Sequence, residues 1–535
     1  MKQYFTPIAL AAAALFAAAP IAAHEPDGDG KLGTVHFEVQ CNAAAQREFD
    51  LAAAYYHSFA WEQIKAPLDR ALAADSSCGM VHWLRALASL DNPFAWPGNV
   101  SAKTLAEGAA LMEQARSTGL KTQRERDYVD ALAAFFQDAD TLAHRTRAKA
   151  FETGLGKVAA AYPQDTEATI IYSLVLSANF DPADKQYNNQ LRAATLLEPV
   201  FARQPEHPGA AHYLIHSYDY PPLATRGLPA AHRYSKIAPA AAHAQHMPSH
   251  IFTRVGAWDD SVVANKASAK SDTASGGNSL HAYDYMVYAH LQMGQDGAAR
   301  SARDSAQAIA KYPDVFAAAY AYGAIPARLA LERGDWATAA ALKLTPAADA
   351  YPWTKYPQAE ASNAYARALG AAALRDKDAT AAELARLGRL RDRAVELKIG
   401  YWADQIGIQM DVVRGFAQVK AGETEAGMAL LRQAADREDA SEKHVVTPGP
   451  LLPAREVLAT SLLERGDAVG ALREFETVLR KEPHRLRSMA GASLAAQRSG
   501  NPQAASEYAD KVSRQTAQAD GGMPGLQLAL QSVTR

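Results

Sequence analysis

The sequence predicts an all-α protein, a solenoid of helix-turn-helix units, on three observations. Alanine-rich amphipathic segments run almost from end to end of the 535 residues, broken every 15 residues or so by Gly, Pro or Asp, as helix interiors and their ends require. The breaks recur at a fixed step: Gly500-Asn501 follows Gly466-Asp467 by 34 residues. Four histidines keep the same step, His212 and His216 returning as His246 and His250. A period of that length marks one supersecondary unit stacked on its neighbours, so equivalent side chains of successive units share one wall.

At the N-terminus, Lys2 precedes an apolar stretch from Pro7 to Ala19, followed by Pro20, Ile21 and Ala22-Ala23. This reads as a signal peptide over residues 1–23, cut after Ala23, and places the mature protein in a bacterial periplasm or outside the cell. The apolar run is short for a membrane helix, and no later segment approaches the roughly 20 apolar residues one needs. No cysteine follows the leader directly, so no lipid anchor is expected. Residues 24–40, Gly/Asp-rich at first, read as a tail.

Residues 41–204 read as N-terminal helical repeats. The two cysteines, Cys41 and Cys78, fall in the first two units, where an oxidising compartment would pair them; the alternative is a pair of buried thiols. A loop of that length, once closed, stabilises by about 4 kcal/mol. Residues 205–345 are a histidine-rich central block, with turns at Gly256-Ala257-Trp258, Gly294-Gln295-Asp296 and Gly334-Asp335-Trp336. The first of these steps is four residues too long, a surplus assigned to a loop at Ser275-Gly276-Gly277-Asn278. Residues 346–440 continue the repeats, with a turn at Gly422-Glu423. Tyr351-Pro352-Trp353 to Tyr356-Pro357, and Thr447-Pro448-Gly449-Pro450 to Pro453, cannot be helix interior; they are joints between blocks or rigid loops capping a groove. Residues 441–535 close the chain with two units in register, Leu458 to Glu482 and its successor around Ala504-Ala505 and Tyr508. Trp61, Trp83, Trp96, Trp258, Trp336 and Trp402 are read as packing between helices.

Net charge is −3, from 55 basic and 58 acidic side chains, interspersed without a basic stripe. Neither nucleic acid nor an anionic membrane surface is implied as a partner, and no membrane insertion is expected.

Ala471, Phe475 and Pro483 match the A-x3-F…P half of the tetratricopeptide signature, and the chain resembles that superfamily. More narrowly it is similar to a group of exported bacterial repeat proteins with an H-Y-x-x-H-x-x-D segment, here His212 to Asp219. They share an H-M-P-S-H-I-F segment, here His246 to Phe252, and the run from Lys443 to Glu456. The resemblance implies a right-handed tetratricopeptide-like solenoid whose first helices line a concave groove for a peptide, protein or small-molecule ligand. It carries no activity with it.

Six histidines lie between His212 and His250, where an even spread of 16 over 535 residues gives about one. Placed on first helices, His212 and His216 are i, i+4; His243, His246 and His250 are i, i+3 and i+7; His281 and Asp284 are i, i+3 on the next. Tyr285 and Tyr288 are close by. Helix axes 8 to 10 Å apart let these groups converge on a common ion, and neutral imidazole suits Zn, Cu, Ni or Fe, with Asp284 as a harder oxygen donor. Pro248 lies inside the predicted helix and places a kink or a helix start between His246 and His250. Met247, Met286 and Met293 fit copper, but read better as core. No G-x-S-x-G elbow, H-E-x-x-H, Walker loop or G-x-G-x-x-G after a strand is present. Two functions fit: a non-enzymatic binding scaffold with a histidine-rich metal site, or a metalloenzyme in which the ion activates water or oxygen with help from Tyr285 or Tyr288.

Overall fold

The structure, a computed structural model, describes residues 1, 31–98, 100–272, 276–309, 311–520, 527, 530, 531 and 534. The rest of the expected leader, residues 24–30 of the tail and Ser275 of the predicted loop lie outside the described residues.

Alanine, leucine and arginine favour helix, and every regular element among the described residues is helical. From Ala43–His57 with Lys65–Ala74 to Leu486–Arg498 with Pro502–Gln515, the helices follow one another as antiparallel hairpins. Lys31 to Arg535 form one compact unit, so the architecture is the all-α helical-repeat solenoid that the periodicity predicted. Its apolar interior is laid down in two large clusters. One contains Phe37, Phe49, Trp83, Tyr128 and Leu197; the other contains Leu387, Val413, Leu458, Phe475 and Met489. No helix of the described residues is long and apolar enough to cross a membrane.

The predicted turn glycines have a stereochemical task. Gly256 takes φ +73 after the helix Pro248–Val255, and the Ala257 amide donates to the Phe252 carbonyl at 2.8 Å, so the helix ends in a left-handed cap. A Cβ there would be strained and would also strike the His484 ring.

Cys41 and Cys78 are joined in a disulfide that closes a separation of 37 residues between the first two hairpins. Pro248 does divide its helix. Ala242–His246 ends at Met247, and Pro248 opens Pro248–Val255 at the first helical position, where its missing N–H costs nothing. Met247 keeps helical dihedrals, φ −54 and ψ −36, so His246 and His250 remain on one face. Met247, Met286 and Met293 are buried in apolar clusters.

The irregular stretch between Thr424–Ala440 and Ala454–Glu464 is a strap across the inner face. The Tyr285 hydroxyl contacts the Val445 and Thr447 carbonyls at 3.3 Å, and Arg328 donates to the Gly449 carbonyl at 3.0 Å and to Thr447 Oγ1 at 2.7 Å. The Pro/Gly-rich run is therefore the capping-loop alternative of the two the sequence left open.

Candidate metal centre

Helix Pro208–Tyr218 starts where His207 accepts the Ala210 amide and Pro208 supplies a preset φ. Every residue of this helix is buried. Its His212 and His216, one turn apart, point Nε2 at each other across 3.1 Å. His243, from the start of the next unit, places its own Nε2 3.1 Å from that of His212. One repeat further on the arrangement recurs. His246 and His250 set their Nε2 atoms 3.0 Å apart, and the His281 ring lies 4.3 Å from that of His246. Ligand atoms of His212, His216 and His243 lie within 4.8 Å of one another, as do those of His246, His250 and His281. The helix Gly277–Gln292 carries His281, and the four extra residues before it explain why His281 trails His250 by 31 positions while His243 trails His216 by 27.

Hydrogen bonding fixes where the protons are. The Nδ1 of His212 lies 2.7 Å from the His57 carbonyl, which can only accept, so Nδ1 carries the proton. In the second triad the Asp219 carboxylate accepts from His250 Nδ1 at 2.8 Å. Asn265 gives its Nδ2 to the Ser261 carbonyl at 2.8 Å and so turns Oδ1 to His246 Nδ1 at 2.6 Å. His246 and His250 therefore both carry their proton on Nδ1 and face each other with bare Nε2 lone pairs. In the first triad the single Nε2 lone pair of His212 meets two imidazole nitrogens, and His216 Nδ1 is buried with no hydrogen-bond partner. Burial, then the neighbouring imidazoles, push His212, His216 and His246 well below the usual histidine range, which keeps the rings neutral.

Two bare nitrogens in van der Waals contact repel unless a cation lies between them. Nitrogens bound at about 2.05 Å to one ion stand about 2.9 Å apart at a right angle and about 3.3 Å apart at the tetrahedral angle. The observed 3.0 and 3.1 Å fall inside that range. Each triad supplies three donors, which leaves a coordination position open.

A third grouping, His57, Glu167 and His207, shows the contrast. Glu167 takes one hydrogen bond on each oxygen, from His57 Nε2 and His207 Nε2, both at 2.8 Å. Tyr213 donates to His57 Nδ1 at 2.9 Å, and the Ala210 amide to His207 Nδ1 at 3.4 Å. Burial raises the Glu167 carboxyl, but the two histidines outweigh it and hold the carboxyl well below the usual range. Every nitrogen of this trio is satisfied by protons, so it functions as a buried hydrogen-bond network that positions the His57 carbonyl beneath His212.

The sequence reading assigned His212, His216, His243, His246, His250, His281 and Asp284 to one wall. The six histidines do converge. Asp284 does not join them: Arg328 Nε and Nη2 grip its two oxygens at 2.7 and 3.2 Å, so the carboxylate is paired with a guanidinium rather than with the imidazoles. The acidic partner of the histidines is Asp219, fully enclosed and bonded also to Arg254 Nε at 2.8 Å, with Lys443 Nζ at 3.5 Å. Burial raises its pKa, but Lys443, Arg254 and His250 together hold it well below the usual range. Sequence reasoning also missed His57 and Asn265. Tyr285 lies with its hydroxyl 3.4 Å from both nitrogens of His250, whereas Tyr288 packs on Trp258 and beneath Arg328.

A cavity of about 1850 Å³ reaches His216 and Asp219. Phe94 stacks on His216 at its edge, with ring centroids 3.9 Å apart. Trp96 and Trp402, expected only as packing, also line it.

No protein-family model matches this chain, and no curated protein does. Solved structures show a loose likeness. The chain is similar to a monomeric mutant of IFIT1 with Gppp-AAAA, at 11% identity over 89% of this chain and 98% of that one, with a TM-score of 0.35. It is similar at 12% identity to the TPR domain of P58(IPK), over 69% of this chain and 98% of that one, TM-score 0.21. For Naa15/Naa10 bound to HypK-THB the identity is 13%, over 92% and 74%, TM-score 0.25.

Proposed function

We propose that this is an exported helical-repeat binding protein of the tetratricopeptide type, working in the periplasm or outside the cell, whose inner wall holds transition metal. The ligands are His212, His216 and His243 in one set and His246, His250 and His281 in the other. The reading rests above all on the bare, facing Nε2 atoms of His246 and His250, whose outer nitrogens Asn265 and Asp219 have fixed as donors. Acceptors bonded to the outer nitrogen in this way orient a metal-bound imidazole and raise its basicity. An all-imidazole set selects Zn, Cu, Ni or Fe over Mg or Ca. The disulfide and the leader-like N-terminus support an oxidising compartment.

The cavity supports a small-molecule or short peptide ligand beside the metal, because a volume of about 1850 Å³ exceeds what a drug-sized molecule needs. The enzymatic reading is favoured by one observation: His216 belongs both to a three-donor set and to the cavity wall. An open coordination position there would meet a bound substrate.

Elemental analysis of the mature protein, purified without a histidine tag, tests the proposal. About two equivalents of transition metal are expected, with at least one lost when His246 and His250 are both replaced by alanine and helix content is unchanged. Equal metal in mutant and parent would exclude the assignment.

A further inference from the structure

Two similar half-sites stand side by side. The His216 and His250 ring centroids are 6.2 Å apart, and so are those of His243 and His246. His243 and His246 share one short helix, so neither triad can be displaced without the other. Adjacent triads of this kind suit a two-ion site with a ligand bridging the ions.

The charge environment narrows the metal. No carboxylate oxygen lies among the six donors, and Asp219, the nearest carboxylate, already answers Arg254 and Lys443. Six neutral imidazoles bring no charge to offset the ions, so two divalent ions would bury four positive charges among them, and close burial of like charges is strongly unfavourable. Monovalent ions halve the charge, and copper is the imidazole-binding metal that exists as one; when the pair is oxidised to the divalent state, the two electrons gained by bound dioxygen offset the added charge. Resting on the metal-binding proposal above, we infer that the two triads form a single dicopper centre that binds dioxygen between its ions and oxidises a neutral phenolic substrate in the adjoining cavity.

The electron count closes. Two cuprous ions would lend one electron each to dioxygen; one catechol supplies the two further electrons that break the O–O bond, and a second catechol returns the ions to the cuprous state. In all, two catechols lose four electrons and four protons to become quinones, and two waters leave. The cavity fits that substrate class. Six acidic and six basic side chains line it, so no net charge is selected, and Phe94, Tyr220, Phe316, Tyr401 and Trp402 offer flat ring faces. The strap closes this space over the metal side, since Lys443 lies within 3.5 Å of Asp219 Oδ2 and its neighbour His444 packs on Trp402 at 5.0 Å.

The test is anaerobic loading of the mature protein with cuprous ion, then oxygenation. Electron paramagnetic resonance, oxygen uptake and 4-methylcatechol loss are read together. Expected are two coppers per chain, a resonance-silent oxidised form from magnetic coupling, and one dioxygen consumed per two catechols. His243→Gln and His281→Gln each remove one half-buried donor from a different triad. Each should yield a resonance-visible cupric ion and at least a hundredfold slower catechol oxidation, with unchanged circular dichroism. Two coppers that are both resonance-visible in the parent overturn the single centre while leaving metal binding intact. Binding of zinc but not copper overturns the choice of metal, and a coupled centre that leaves the catechol unoxidised overturns the substrate class. No metal under any loading overturns both this inference and the proposal beneath it.

Discussion

Acidifying the metal-free protein should destabilise it steeply below about pH 6.5. His212, His216 and His246 are neutral in the folded state because burial, followed by repulsion from neighbouring imidazoles, lowers their pKa well below the ordinary value. The unfolded chain takes up those protons near pH 6.5. Stability therefore rises with pH wherever the unfolded state binds more protons, by about 1.4 kcal/mol per pH unit for each one. His243 and His281 are shifted the same way by the same causes, and His250 by burial, which brings the count in the triads to six; burial also lowers His57, His82, His144, His290, His444 and His484, which act in the same direction. Glu438 opposes them: burial pushes its carboxyl up to about 7, so between pH 4.5 and 7 the folded state holds a proton that the unfolded chain has lost. From the triads alone, less the proton on Glu438, a net excess of two to four protons gives about 3 to 5 kcal/mol per pH unit. With an unfolding entropy of about 1 kcal/mol/K for a chain of about 500 residues, Tm should fall by about 3 to 5 °C per unit. Thermal melts followed by circular dichroism from pH 7.5 to 5 measure this directly. Metal-loaded protein should start from a higher Tm and fall with about the same slope, because imidazoles that are already neutral without metal release no further protons when they bind it. A Tm independent of pH between 7 and 5.5 in the metal-free protein would mean that the imidazoles are not the neutral, bare donors inferred from their hydrogen bonds.

Replacing Asn265 by leucine removes the acceptor that fixes the His246 proton on Nδ1, and metal affinity should fall about 10- to 100-fold in a competition titration, with the fold retained. Asp284→Asn should leave metal content unchanged yet cost about 3 to 5 kcal/mol, because it leaves the Arg328 guanidinium buried without its counter-charge; loss of metal in this variant would restore Asp284 to the ligand set. Cys41→Ser should lower stability by about 4 kcal/mol in oxidising buffer and not at all in reducing buffer. Glu438→Gln should stabilise the protein by up to about 3 kcal/mol at pH 8, where the buried carboxylate is charged, and have little effect at pH 4.5, as denaturant melts at the two pH values will show.

The histidine wall was legible because its spacing equals the repeat length. A side chain that recurs at 34 residues must land beside its predecessor when hairpins stack in register, and the four-residue surplus before the helix Gly277–Gln292 accounts for His281. Pro248 was legible as a break, but its benign effect was not, since only the backbone shows that Met247 continues the helical path. Asp284 misled because i, i+3 spacing from His281 puts two side chains on one face without saying what the next hairpin brings to it. Arg328, 44 residues further on, takes that carboxylate. Asp219 lies in the same segment as His212 and His216, yet its partner is His250, one repeat on. Trp96 and Trp402 line the cavity because a solenoid has a concave side, which no local pattern distinguishes from a packed interface.

Histidine density alone does not mark a metal site in this protein, because the trio His57, Glu167 and His207 is as compact and as buried as either triad. What separates them is the inventory of donors and acceptors. Around Glu167, two N–H groups meet two carboxylate oxygens, and the remaining nitrogens meet an O–H and an amide; adding a cation would displace bonds already made. Around His246 and His250, an amide oxygen and a carboxylate have claimed the outer protons, and the inner nitrogens are left facing each other. Leaving buried polar atoms without partners costs about 1 to 3 kcal/mol each, a cost that a shared ion removes. The two environments meet at one atom, the His57 carbonyl, which accepts from His212. The saturated network thereby sets the tautomer of the unsaturated one, and His57, for which the sequence offered no spacing, becomes a positioning residue for the first triad.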